Sequence, residues 1–176
     1  MHYATIKPYD IANGPGVRVS LFVSGCTHHC PGCFNKETWD FSFGELFTET
    51  VEAELLAKLS SDYINGLTLL GGEPMEPANQ RALLPFVREV RARYPEKSIW
   101  CYSGYTYEKD LLAPDGRAHC EATEELLSLF DVLVDGRYIE ALYDITLLFR
   151  GSSNQRLIDL RRTEEAGSVV LWEKQI

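Results

Sequence analysis

The sequence lacks any apolar run near the ~18 residues that a membrane-spanning helix needs, so nothing in it reads as a span. The first eight residues, Met1 to Pro8, lack the hydrophobic core of a secretory signal, and a cytoplasmic location is expected. Positive charge is short: 17 Lys and Arg face 26 Asp and Glu, for a formal net charge of −9. Phosphate backbones are gripped by clustered basic side chains, so nucleic acid is not expected as the main partner. A local patch built from Arg150, Arg156, Arg161 and Arg162 is the exception left open. Repeats, low-complexity tracts and long linkers are missing too, and 176 residues suit one domain spanning 1–176.

Cysteine is also scarce, at five residues, an odd number that does not suit a disulfide framework. Cys101 lies in an apolar run and reads as a small buried residue. Cys120 precedes a helical stretch and is assigned no role. The other three, Cys26, Cys30 and Cys33, form C-x3-C-x2-C with no fourth cysteine nearby. Ordinary [4Fe-4S] clusters and structural zinc sites take four protein ligands. Three thiolates on one loop hold three corners of a cubane and leave the fourth iron open to a small molecule. Gly25, Pro31 and Gly32 allow the tight wrapping such a loop requires. The competing reading is zinc with His28 or His29 as the fourth ligand, which strains a loop this tight.

Around that loop the pattern alternates strand and helix. Val17 to Val23 is β-rich and alternating, and Leu67 to Leu70 is a short buried strand. Ser98 to Ser103 and Asp131 to Asp135 read as a third and fourth strand. Val51, Leu55, Leu56 and Leu59 have helical spacing. So do Leu83, Val87, Val90 and Tyr94, with Pro95 as the stop. Glu121 to Phe130 reads as a further helix. Ile145 to Phe149 and Ser168 to Glu173 are expected as strands, one or both on antiparallel edges. The class is therefore α/β with a mostly parallel sheet, and ligands in such folds bind at the carboxyl ends of the strands.

The notable residues fall at those ends. Cys26 to Cys33 follow the first strand, Gly71-Gly72-Glu73-Pro74 the second, Tyr102-Ser103-Gly104 the third, and Asp135-Gly136 the fourth. Gly72 lets backbone approach a ligand, and Glu73 suits a cation such as an amino group. Asp135 suits a ribose diol, or a turn cap. Asn13-Gly14-Pro15-Gly16 fails as a phosphate loop because no Lys follows and no helix begins there.

The cysteine motif followed by Gly71-Gly72-Glu73-Pro74 resembles the radical S-adenosylmethionine superfamily. Further segments match in order: Asn13 to Arg18, Cys33-Phe34-Asn35, Thr38 to Phe41, Leu69 to Met75, Trp100 to Thr106, Val132 to Gly136, and Phe149 to Arg156. Together they resemble the activating proteins of anaerobic ribonucleoside-triphosphate reductase. The resemblance implies a partial (β/α) barrel with cluster and cofactor at the C-terminal strand ends. It implies Cys26, Cys30 and Cys33 as ligands of a [4Fe-4S] cluster, and S-adenosylmethionine as co-substrate. Gly72 and Glu73 would meet its amino group, with Ser103 and Asp135 near the ribose. It implies an oxidoreductase that cleaves S-adenosylmethionine reductively and leaves a glycyl radical on the large catalytic subunit of the reductase. A flavodoxin or a thiol system would supply the electron. A small-molecule substrate and a zinc-binding interaction module are the alternative functions. Two departures stand out. Gly32 precedes Cys33 where many superfamily members carry an aromatic, with Phe34 just after. Asn13 leads its loop where an acidic residue is common.

Overall fold

The computed structural model describes residues 1–173. Seven strands form one sheet: β1 (His2–Asp10), β2 (Arg18–Val23), β3 (Glu45–Leu46), β4 (Gly66–Gly71), β5 (Ser98–Tyr102), β6 (Val132–Asp135) and β7 (Arg156–Asp159). Their order is β3-β1-β2-β4-β5-β6-β7. The middle four, β2, β4, β5 and β6, are parallel. β1 lies antiparallel on β2, β3 antiparallel on β1, and β7 antiparallel on β6. The sheet does not close, because β3 and β7 remain its two edges. The helices are α1 (Glu49–Leu59), α2 (Pro77–Arg93), α3 (Thr123–Leu129) and α4 (Leu160–Ala166). Among the described residues no helix is long and apolar enough to cross a membrane.

Alternation along the strands splits the sheet into two unlike faces. Val19, Leu21, Val23, Leu67, Leu69, Ile99, Cys101 and Leu133 share one buried core with Leu55 and Leu59 of α1, Leu83, Phe86 and Val87 of α2, and Leu126 of α3. That apolar face explains the helical spacing legible in the sequence. Cys101 is fully buried there, as expected of a small core residue. The opposite face carries a smaller cluster of Trp100, Val132, Val134 and Leu157, flanked by Tyr102, Phe149 and Trp172. Beside it sit polar side chains, Arg18, Ser20 and Thr68, all fully buried.

The flanks of the sheet differ from the sequence reading in three places. β1 was not visible in the sequence because Pro8 interrupts it, and proline reads as a strand breaker. The pairing register of β1 on β2 shifts between Lys7 and Asp10, around that proline. Ile145 to Phe149 is a pair of turns rather than a strand. Asp144 captures the backbone N–H and the hydroxyl of Thr146 at 2.8 and 2.7 Å, which competes with strand pairing. The antiparallel edge is instead β7. Of Ser168 to Glu173, only Leu171 bridges Ile158, although Asp159 N–H donates to the Val170 carbonyl at 2.9 Å and Trp172 N–H to the Leu157 carbonyl at 2.8 Å. The arginines of the suspected basic patch are dispersed: Arg161 pairs with Asp131, and Arg156 with Asp135 and Glu108.

Candidate functional site

The chain leaves β2 at Val23 and turns at once into the cysteine loop. Gly25 has φ 99°, and a Cβ there would lie 2.3 Å from the Phe41 ring, so only glycine fits. The loop is then stitched to its surroundings through backbone. Gly25 N–H donates to the Thr38 carbonyl at 2.8 Å, and Glu73 N–H to the Gly25 carbonyl at 2.8 Å. Gly32 also has positive φ, 73°, and a Cβ there would meet the Glu140 carboxyl at 2.7 Å. A side chain before Cys33 is thus strained by the backbone, while the exposed Glu140 side chain is flexible enough to swing aside. Phe34, just after it, is 80% exposed at the rim beside Tyr138 and Tyr143.

Cys26, Cys30 and Cys33 are all free thiols, the first two buried. They line one cavity of about 230 Å³ together with Gly72, Glu73 and Ser103. The ends of β2, β4 and β5 therefore converge as the sequence suggests. Burial pushes the Cys26 thiol up to about 12, with the nearby Glu73 and Glu76 carboxylates adding to the shift. Among the described residues no three His, Cys, Asp or Glu side chains are gathered to grip a single ion. A cubane takes one thiolate at each of three corners, so its ligands need not converge on a point.

Both histidines of the loop have partners of their own, although His28 also lines the cavity. His28 Nε2 shares a 3.0 Å hydrogen bond with Glu73 Oε2, and its ring packs 4.3 Å from that of Tyr105. His29 stacks on Trp39 at 4.5 Å. No histidine joins the thiols in a group gathered on one ion among the described residues, and the three soft thiols at the cavity suit an iron–sulfur cluster.

Two buried carboxylates hold the loop from β4. Glu73, 1% exposed, accepts from His28, from Gly104 N–H at 2.7 Å and from Met75 N–H at 2.9 Å. Its carboxylate is therefore occupied by the chain's own donors. Glu76 accepts from the Thr27 N–H at 2.8 Å, the Thr27 hydroxyl at 2.6 Å and the Tyr105 hydroxyl at 3.2 Å. Gly72 must be glycine for close approach: a Cβ would lie 2.7 Å from the Gly25 carbonyl oxygen and 2.9 Å from that of Thr38. Ser103 Oγ accepts from Tyr105 N–H at 3.0 Å and keeps its own proton to donate.

Asp135 is not brought to the cavity, although its neighbour Gly136 is. Its carboxylate is 1% exposed and accepts from Arg156 Nε at 2.9 Å and from Tyr107 N–H at 2.9 Å. Arg156 in turn grips Glu108 at 3.0 and 2.7 Å. The Glu108 and Asp135 carboxylates raise the pKa of that guanidinium, and it holds Glu108 below the usual carboxylate range. The carboxylate expected at the ribose is thus held in an ion pair that no local pattern reveals.

Sequence reasoning also missed functional neighbours. Arg137 donates to Cys30 Sγ at 3.3 Å and to the His28 carbonyl at 2.7 Å. Glu76 was legible as the second acid of Gly71-Gly72-Glu73-Pro74-Met75-Glu76, had its spacing been read. Tyr138 and Gln155 line the cavity without any spacing signal.

Comparison with known proteins agrees with this donor set. A family model described as a 4Fe-4S single cluster domain matches residues 12–158. A protein of Enterobacteria phage T4 is 45% identical over 159 residues, covering 89% of this chain and 93% of its own. A Haemophilus influenzae protein is 43% identical over 157 residues, covering 88% and 96%. An Escherichia coli protein is 42% identical over 163 residues, covering 92% and 100%. All three bear the name anaerobic ribonucleoside-triphosphate reductase-activating protein. The chain belongs to this family of reductase-activating proteins with a 4Fe-4S single cluster domain.

Proposed function

We propose that this chain, as one domain in the cytoplasm, activates the large catalytic subunit of anaerobic ribonucleotide reductase as a radical S-adenosylmethionine oxidoreductase. The carrying observation is the gathering of three free thiols with Gly72, Glu73 and Ser103 around one cavity, in a chain of this family. Cys26, Cys30 and Cys33 hold a [4Fe-4S] cluster. When bound, that cluster supplies the electron for reductive cleavage of S-adenosylmethionine, whose radical product takes hydrogen from a glycine of the reductase.

The chain's own residues bind and orient the co-substrate. Gly72 meets its amino group through its backbone carbonyl, and Glu73, whose carboxylate and carbonyl both accept from the chain's own donors, holds the turn that presents it and adds negative charge beside the amino group. Ser103 has a hydroxyl proton left for the ribose. Asp135 acts at one remove by anchoring the turn at Gly136. The open sheet supports a partial barrel whose unclosed side admits a protein substrate, and the covering partner excludes water during the reaction. A reduced flavodoxin or a thiol system serves as donor.

The test mixes reduced protein, S-adenosylmethionine and the large subunit under anaerobic conditions. A glycyl radical in electron spin resonance together with deoxyadenosine is expected. Deoxyadenosine without that signal points to a small-molecule substrate. Colourless, zinc-loaded protein without sulfide overturns the cluster.

A further inference from the structure

Cys26 and Cys30 sit four residues apart in opposite electrostatic surroundings. Cys26 lies near the Glu73 and Glu76 carboxylates. Cys30 Sγ accepts from the Arg137 guanidinium at 3.3 Å. The same guanidinium donates to the His28 carbonyl at 2.7 Å, two residues before Cys30. Arg137 therefore spans from the end of β6 to the cysteine loop and fixes both the sulfur and the backbone that carries it.

Its aim is set from β7's side of the cavity. Asn154 donates its side-chain N–H to the Arg137 carbonyl at 2.8 Å, and Gln155 donates to the Gly136 carbonyl at 3.0 Å. Gln155 Oε1 in turn accepts from Gly151 and Ser152 N–H at 2.9 and 3.1 Å. The Arg150 to Arg156 segment thus acts as a bracket that presents Arg137 to the loop.

We propose that Arg137 is a positioning residue that sets the reduction potential of the cluster held at Cys30. The inference rests on the cluster reading given above. A cationic hydrogen bond to a ligand sulfur stabilises the more negative, reduced cluster and so raises its potential. Without Arg137 the cluster needs a stronger donor. Glu73 and Glu76, near Cys26, pull the other way, so the loop carries opposing controls.

The test is a dye-mediated redox titration of the anaerobically loaded protein, followed by electron spin resonance, with iron and sulfide counted first. Arg137→Gln is expected to cut the reduced-to-oxidised ratio at fixed donor potential about tenfold, about 59 mV for one electron. Arg137→Lys keeps the charge without the fork and is expected to fall between. Asn154→Ala, which touches only the bracket, is expected to shift the same way by less. An unchanged potential in loaded Arg137→Gln overturns the proposal. If that variant loads no cluster, unchanged potentials in both Arg137→Lys and Asn154→Ala overturn it instead. An unaltered protein with neither iron nor sulfide would sink the cluster reading itself, a distinct failure.

Discussion

Arg18 opens β2 at one end of the sheet, and Cys26 follows the same strand at the other, eight residues later. Arg18 is fully buried, and burial lowers its pKa to about 10, which leaves it charged at neutral pH. Its donors are matched from all sides. Thr68 and Ser98 hydroxyls accept at 2.7 and 2.9 Å, and the Leu67 and Ser98 carbonyls at 2.7 and 2.9 Å. Its guanidinium lies 5.6 Å from the centre of the Trp100 ring. The cysteine end is built the other way. Three thiols face a cavity, and Ser24 Oγ and Trp39 Nε1 are buried with no hydrogen-bond partner among the described residues. The closed end satisfies its buried charge from within and serves stability. The open end keeps donors and soft ligands unspent, as a binding site must.

Substitutions at the two ends should therefore separate stability from activity. Cys30→Ala has the largest expected effect: loss of activation beyond the ~100-fold seen when outer-shell partners of a metal site are removed. Its unfolding midpoint in urea, measured on metal-free protein, should stay close to that of the unaltered chain. A large drop in that midpoint would blur the contrast between the ends. Arg18→Met should do the reverse. It orphans several buried acceptors and should cost about 3 kcal/mol of unfolding free energy by urea titration. Iron and sulfide per folded chain should hold. If iron falls while stability holds, the base is part of the site.

Glu73→Gln probes the seam between the two regions. Three donors converge on a carboxylate that an amide only partly replaces, so a cost of about 2 kcal/mol and looser cluster loading are expected. Full loading with weakened S-adenosylmethionine binding would mean that the side chain, not the backbone, meets the ligand. Smallest of all is Arg81→Ala, which breaks an exposed pair with Glu121. Screened surface pairs contribute little, so neither melting temperature nor activity should move measurably.

The parallel core was legible because each of its strands is a short apolar run and each helix shows a regular buried face. β1 and β7 were hidden because the antiparallel flanks of the sheet are read from their partners, and Pro8 and the short Arg156–Asp159 run give little local signal. The cysteine loop was legible from spacing, and Gly72 from its place after a strand. Arg137 was not, because its role depends on a hydrogen bond to a residue 107 positions away. The ion pair of Asp135 was hidden for the same reason: a carboxylate at a strand end looks free until Arg156 is folded against it.

The sequence by itself determined the donor set, three thiols on a glycine-bearing loop, and the alternation that orders the strands. Both are local, fixed by spacing along the chain and by the chemistry of sulfur. Only the tertiary structure decided which of the strand-end polar groups remain available. Glu73, His28 and Asp135 are taken up by one another, by backbone N–H groups or by Arg156, while Ser103 retains a free proton and Arg137 reaches Cys30. Burial makes an unpaired charge costly, and the partner comes from whichever strand the fold sets beside it.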